Sequence, residues 1–284
     1  MTLTDNNRAG ASPAKISPEN FDFLCNAIYK DSGIVLDQTK NYLLEARLAP
    51  LAKTEGAGTI DSLCNLIRAT GGHRVRERVV EAMTTNETLF FRDVKPFEAL
   101  KEILIPEITK RQRDRTLRIW SAACSSGQEP YTIAMIWREL RIADWRLNLL
   151  GTDLSDEVLE KARSGRYLQL EVNRGLPASY LVRNFERDDA DWVVRQEVRA
   201  MVQWQKFNLQ DRMQSLGPFD IVFCRNVLIY FDNETKAKIL GNIRGTLKPG
   251  GYLILGASET TLTVDDAYQR VKAGRAVVYQ NPAA

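Results

Sequence analysis

Apolar residues recur every three to four positions up to residue 84; from residue 117 they gather into short, near-continuous runs separated by helix-spaced stretches. The clearest run, Phe219-Asp220-Ile221-Val222-Phe223-Cys224, has the character of a parallel strand covered on both faces. Similar runs predict strands at Leu117 to Ala122, Leu147 to Thr152 (ending in Asp153), Tyr252 to Leu255 and Arg275 to Gln280. Helical spacing falls between them, at Pro130 to Leu140, Ser155 to Arg163 with Ser155 as cap, and Asn233 to Leu247, closed by Lys248-Pro249-Gly250-Gly251. A further helix is expected near Pro96 to Lys110. Strands alternating with helices predict a doubly wound α/β sheet that binds its ligand outside the carboxyl ends of the strands. One stretch breaks the alternation. Between residues 167 and 205, Trp192-Val193-Val194 and Met201-Val202-Gln203-Trp204 predict a small antiparallel subdomain inserted in the sheet.

Residues 16–84 predict a separate unit of about four helices. Its apolar stripes are Phe21, Leu24, Cys25 and Ile28; Tyr42, Leu43, Ala46 and Leu51; Ile60, Leu63, Leu66 and Ile67; and Val75, Val79, Val80 and Met83. Ser17-Pro18-Glu19 opens the first helix, and Pro50 is expected to kink or end the second. Residues 1–15 are expected to be a disordered lead-in, 85–95 a linker, and 96–284 the sheet domain.

Composition narrows the function. A net charge of +3 over 284 residues, with Lys and Arg interleaved with Asp and Glu, offers no phosphate-tracking stripe and argues against a nucleic-acid partner. No apolar run is long enough to cross a bilayer, and the first residues lack the apolar core of a signal peptide. Cys25, Cys64, Cys124 and Cys224 lie far apart without C-x-x-C spacing, so neither zinc nor a disulfide framework is expected, and a cytoplasmic protein is. The only histidine, His73, sits in an expected loop or helix start. Any catalysis should therefore proceed without an imidazole base.

Two places have the composition of a ligand site. The first predicted strand runs into Ser121-Ala122-Ala123-Cys124-Ser125-Ser126-Gly127-Gln128-Glu129, small residues leading into a helix. Such a turn lets a ligand approach the backbone, or equally makes a tight connection. With only Gly127, it is not a dinucleotide fingerprint. The second strand ends in Asp153, placed either to accept hydrogen bonds from ribose hydroxyls or to cap the next helix.

Three segments together resemble the chemotaxis receptor glutamate methyltransferases, the CheR family: Thr85-Asn86-Glu87-Thr88-Leu89-Phe90-Phe91-Arg92, Trp120 through Tyr131, and Phe219 through Phe231. The turn Leu247-Lys248-Pro249-Gly250-Gly251 resembles one shared by many class I methyltransferases. The resemblance implies a class I methyltransferase-like fold with an N-terminal helical domain and an inserted antiparallel β-subdomain. It implies S-adenosylmethionine as cofactor, S-adenosylhomocysteine as product and no metal. It also implies cofactor contacts from Asn86, Thr88, Arg92, Ala122, Glu129, Asp153, Asn208, Leu209, Arg225 and Asn226, with Arg92 and Tyr230 facing the reacting centre. The implied partners are the cytoplasmic domains of chemoreceptors, whose acidic helical bundles would dock on Lys40, Arg47 and Lys53. Some members grip a receptor's C-terminal pentapeptide through a glycine-bearing loop of the β-subdomain. The corresponding residues here, 184–191, are acidic and contain no glycine, so independence from that tether is expected. Neither membrane insertion nor a dimer is expected. Two other readings remain open: a methyltransferase with another acceptor, and a non-catalytic cofactor-binding interaction protein.

Overall fold

The structure is a computed structural model that describes residues 16–282. The expected lead-in, residues 1–15, lies outside the described residues. The chain divides into two compact units, Met1–Thr84 and Thr85–Ala284.

The first unit contains helices Pro18–Ser32, Asn41–Thr54, Ile60–Arg68 and His73–Met83. Ser17 caps the first by accepting from the Asn20 amide, and Gly33, at φ 76°, closes it with its N–H on the Tyr29 carbonyl. The second helix buries Leu44, Leu48, Leu51 and Ala52 rather than the expected Tyr42–Leu43–Ala46 face, and Tyr42 is 69% exposed. Adjacent Leu43 and Leu44 make two faces almost equally apolar, and packing decides between them. Pro50 does not end this helix, which continues to Thr54. Pro50 is exposed, so it costs one helical hydrogen bond on the wet side only. In the third helix Cys64 is buried and the expected Leu66 is 38% exposed.

The second unit is built on ten strands: β1 (Thr116–Ala122), β2 (Arg146–Asp153), β3 (Arg166–Leu168), β4 (Phe185–Asp188), β5 (Asp191–Val194), β6 (Val202–Lys206), β7 (Phe219–Cys224), β8 (Leu247–Leu255), β9 (Gln269–Ala273) and β10 (Ala276–Gln280). Seven form one sheet in the order β6-β2-β1-β7-β8-β10-β9. The first five are parallel, and β10 and β9 close the far edge as an antiparallel hairpin. Every residue of β7 is buried, as its continuous apolar run requires at the centre of a parallel sheet. The exception in chemistry, Asp220, is satisfied: it accepts from the Arg118 amide at 2.8 Å and pairs with Lys248 at 2.8 Å.

A second sheet, β3-β5-β4, is antiparallel. The Met201–Trp204 segment expected to join it belongs elsewhere, because β6 pairs in parallel with β2 at the edge of the main sheet. An edge strand has one dry face, so its sequence alternates as a hairpin strand does. Among the described residues, no helix is long and apolar enough to cross a membrane.

Candidate active site

The carboxyl edge of the parallel strands collects the chemistry. At the end of β1 the chain turns through Ala123, Ser125 and Gly127, all at positive φ, before the helix Gln128–Leu140. Gly127 is required there. At φ 93°, a Cβ would stand 2.9 Å from both Ala162 and the Trp204 ring. The Ser125 amide donates to the Asp153 carboxylate at 2.8 Å, and the Ser155 amide donates to its other oxygen at 3.1 Å. Asp153 thus organises both loops and is 6% exposed. Ser155 takes the N-cap position of the next helix, but its side chain makes no capping bond. Phe207 follows β6, its amide donating to the Asp153 carbonyl at 2.8 Å, and Asn208 and buried Leu209 come next. Asp153, Asn208, Leu209 and Ala122 therefore share one end of the sheet.

Glu129, in the first turn of its helix, accepts from the Ser121 hydroxyl at 2.7 Å and pairs with Arg225 at 2.8 Å. The Arg225 guanidinium, 2% exposed, also donates at 2.7 Å to the Arg92 carbonyl and at 2.7 Å to Asp93. A cation buried this deeply needs such partners, and removing one from a buried pair typically costs about 3–5 kcal/mol. Asp93 follows Arg92 directly in sequence, yet its carboxylate meets Arg225.

The linker is pulled onto this edge from three sides. The Asn86 carbonyl accepts from the Ser125 hydroxyl at 2.8 Å, and the Phe91 amide donates to Thr132 at 3.2 Å. Phe90 sits edge-on to Tyr167 and Phe185, and Phe91 packs on Phe97 and Tyr180. Gly175 lets the linker lie close, since a Cβ there would stand 2.2 Å from the Phe90 carbonyl oxygen. Phe91, Asp93 and Val94 adopt φ of 52°, 67° and 50°, which for a β-branched residue such as Val94 is costly. Strain of this kind is held only where surrounding contacts fix it, and here it flanks Arg92. The Arg92 guanidinium donates to the Glu87 carbonyl at 2.8 Å, and Thr88 is half-buried nearby in the chain.

Arg225 and Asn226 begin the loop after β7, and Tyr230 ends its short 3₁₀ turn, Leu228–Tyr230. Among the described residues the Tyr230 hydroxyl has no hydrogen-bond partner. One residue that sequence reasoning missed controls this loop. The Glu259 carboxylate accepts from the amides of Asn226 (2.7 Å), Val227 (2.9 Å), Leu228 (2.8 Å) and Gly256 (2.7 Å). Its only signal in the sequence is an acidic residue three positions past the Gly256 that follows a predicted strand. Gly256 is needed for this approach, since a Cβ would lie 2.7 Å from the Glu259 carboxylate, 2.8 Å from Asn226 Nδ2 and 3.0 Å from the Asn226 backbone nitrogen.

The remaining expected residues lie in the first unit. Lys40 belongs to the 3₁₀ turn Gln38–Lys40 before the helix rather than to the helix, and its ammonium reaches the Val35 carbonyl at 3.3 Å. Arg47 donates to the carbonyls of Met83 (2.8 Å) and Thr84 (2.7 Å), completing the end of the fourth helix. That engagement leaves the guanidinium less available to a docking partner than the sequence suggests. Lys53 is exposed in the last turn of its helix. His73 is exposed at the start of its helix, 3.6 Å from Glu77. All four thiols are free. Burial pushes Cys124 and Cys224 up, with Asp153 and Glu129 adding to the first and Glu259 and Glu129 to the second. Both therefore stay neutral at the site.

The doubly wound sheet, the small-residue turn after β1 and the acidic residue closing β2 define a class I S-adenosylmethionine-dependent methyltransferase. The residues fit that cofactor. Asp153 and Glu129 suit its hydroxyl and ammonium donors, Leu209 offers an apolar surface, and the buried Arg225 Nε and Asn226 Oδ1 have no partner within the protein. The chain belongs to the CheR methyltransferase family: the all-alpha domain of that family matches residues 19–84 and its SAM binding domain residues 86–277. Chemotaxis protein methyltransferase 1 of Pseudomonas aeruginosa is 44% identical over 93% of this chain and 99% of its own. Chemotaxis protein methyltransferase Cher2 of Pseudomonas putida is similar to the same extent, 44% over 93% and 99%. Chemotaxis protein methyltransferase 1 of Vibrio cholerae is 39% identical over 93% of this chain and 98% of its own. The protein is thus an S-adenosylmethionine-dependent methyltransferase of chemotaxis.

Proposed function

We propose that the protein esterifies glutamate side chains on the cytoplasmic domains of chemoreceptors, working in the cytoplasm as a monomer. The observation that carries this reading is the Arg225 clamp, whose bonds to the Arg92 carbonyl and to Asp93 fix a linker arginine at the carboxyl edge of the sheet.

S-adenosylmethionine supplies an electrophilic methyl group on a sulfonium. A glutamate carboxylate, with a reference pKa of about 4.3, is already ionised near neutrality and needs no general base. The protein's task is to align the acceptor, hold it still and exclude water. Arg92 supplies charge-assisted hydrogen bonds to the acceptor carboxylate, exchanging the Glu87 carbonyl for it. Tyr230, with its hydroxyl uncommitted, orients the second oxygen. Asp153 and Asn208 hold the ribose and adenine end, while Asn86, Thr88, Ala122, Glu129, Leu209, Arg225 and Asn226 complete the cofactor site. An amine acceptor is protonated near neutrality and would first have to give up a proton, whereas the site's thiols are themselves kept protonated by burial.

Lys53, with Lys40, is the receptor-facing charge we assign to the helical unit. Tether independence is supported by the β4–β5 hairpin. Three of its acidic residues are engaged internally, Asp188 and Asp191 with Arg166 and Glu186 with Arg195, and the Arg187 guanidinium lies 5.2 Å from the Trp192 ring. The test is methyl transfer from labelled S-adenosylmethionine to purified receptor cytoplasmic fragments. Label on a receptor is expected, including on a fragment lacking its last five residues. Cofactor binding without label on any receptor would overturn the proposal.

A further inference from the structure

A cleft opens beside the site just described, bounded by Asp93–Pro96, by the segment from Leu255 to Leu262 after β8, and by the β9–β10 hairpin. Its place in the sheet order is informative. The cofactor residues end β6, β2, β1 and β7, and the cleft follows at β8 and β10, on the side away from Asp153. It begins at Asp93, one residue from Arg92.

The lining combines an apolar floor with unspent positive charge. Pro96 and Ala276 are buried, Val277 is half-buried, and Leu262 is 55% exposed. Both carboxylates at the cleft are occupied, Asp93 by Arg225 and Glu259 by four backbone amides. Of the three cations, Arg275 is paired with Glu98 at 2.6 Å. The side chains of Lys95 and Arg270 are exposed and, among the described residues, make no hydrogen bond or ion pair. Two free cations over an apolar floor, next to a site for a carboxylate acceptor, form a surface complementary to an acidic, amphipathic segment.

We propose that this cleft seats the substrate residues flanking the acceptor glutamate, with Lys95 and Arg270 engaging a second acidic side chain of the same receptor helix. The inference rests on the proposed function and deepens it: the enzyme selects a glutamate by a neighbouring negative charge, read by the methyltransferase unit itself. Neither cation touches the reacting centre, so their contribution belongs in receptor KM and not in turnover. Because the charges are exposed, it is screened by salt.

The test is a steady-state comparison of the full-length protein with the Lys95→Glu/Arg270→Glu and Lys95→Gln/Arg270→Gln variants, using a receptor cytoplasmic fragment at low and high salt. At low salt the neutral pair is expected to raise receptor KM by about 3-fold and the reversed pair by roughly 10-fold or more, narrowing at high salt. The KM for S-adenosylmethionine and kcat at saturating receptor should stay within about 2-fold of wild type, as expected for a site that only steers and seats the partner. A receptor fragment whose acidic neighbours of the acceptor are changed to amides should lose the same factor with wild type and nothing further with the neutral variant. An unchanged receptor KM at low salt in both variants, or additive losses in the cross with the amide receptor, would overturn the proposal. A wild-type protein that methylates no receptor would remove the proposed function and this inference with it. Receptor methylation by wild type with unaltered variants removes the inference alone.

Discussion

Glu259→Gln isolates the contribution of a residue that acts through four backbone amides of the site's loops. In the structure one carboxylate oxygen accepts from Asn226 and Gly256 and the other from Val227 and Leu228. Whichever position the amide nitrogen takes, two backbone donors then face another donor, and the other two lose a charged acceptor. Hydrogen bonds to charged groups contribute about 1.5–3 kcal/mol each. Glu259 is only part-buried, so water recovers much of that. Discounted accordingly, the substitution should cost roughly 2–4 kcal/mol, which for a unit of this size lowers Tm by about 5–15 °C. The loop released carries Asn226 and Tyr230. The loss should therefore appear in function at temperatures where the protein is fully folded, as a fall in kcat/KM of roughly 10- to 100-fold. The assay is a thermal melt together with steady-state transfer at a temperature well below the melt. Glu259→Ala should be no worse than Glu259→Gln, because water can enter and satisfy the four amides while glutamine opposes two of them. A Glu259→Gln protein within 2-fold of wild-type kcat/KM and about 1 °C of its Tm would refute the assignment.

Three further outcomes follow from the same geometry. Arg92→Ala should lower kcat about 100-fold while changing the calorimetric Kd for S-adenosylmethionine by less than about 3-fold, and equal losses in both would contradict its role on the acceptor. Arg47→Ala should destabilise the helical unit by roughly 1–3 kcal/mol through the Met83 and Thr84 carbonyls, read by denaturant unfolding, with receptor KM unchanged in the folded protein; a raised receptor KM at unchanged stability would restore it as a docking residue. All four thiols are shifted up: burial is the largest cause at each, Asp22 and Asp37 add to it at Cys25, and Cys64 is pushed up to about 11. Their thiolates are therefore scarce below pH 9, and alkylation at pH 8 should be slow in the native protein and complete for all four after unfolding.

The sequence made the sheet legible where burial on both faces forces a continuous apolar run, as in β7, and where a strand ends in an unusual residue, as β2 does in Asp153. It misled where one face is wet. Val202–Lys206 alternates because it is an edge strand, and alternation does not distinguish a parallel edge from an antiparallel hairpin. The second helix was assigned the wrong face because Leu43 and Leu44 give two stripes of similar hydrophobicity. Glu259 and the Asp93–Arg225 pair were invisible for a different reason. Glu259 meets the loop after β7 across 31 to 33 residues and Asp93 meets Arg225 across 132, through residue types common on any surface. Asn86, Arg225 and Tyr230 were reached through family resemblance; nothing in local pattern places a linker asparagine beside the end of β1.

On the function proposed above, the acceptor atom is a glutamate carboxylate oxygen. The most direct test is to methylate a receptor fragment with labelled S-adenosylmethionine, treat it with mild alkali, and map the label by tandem mass spectrometry. Volatile, alkali-labile label on glutamyl residues of the receptor's acidic helices is expected. Label that survives alkali, or that maps to nitrogen or sulfur atoms, would contradict it.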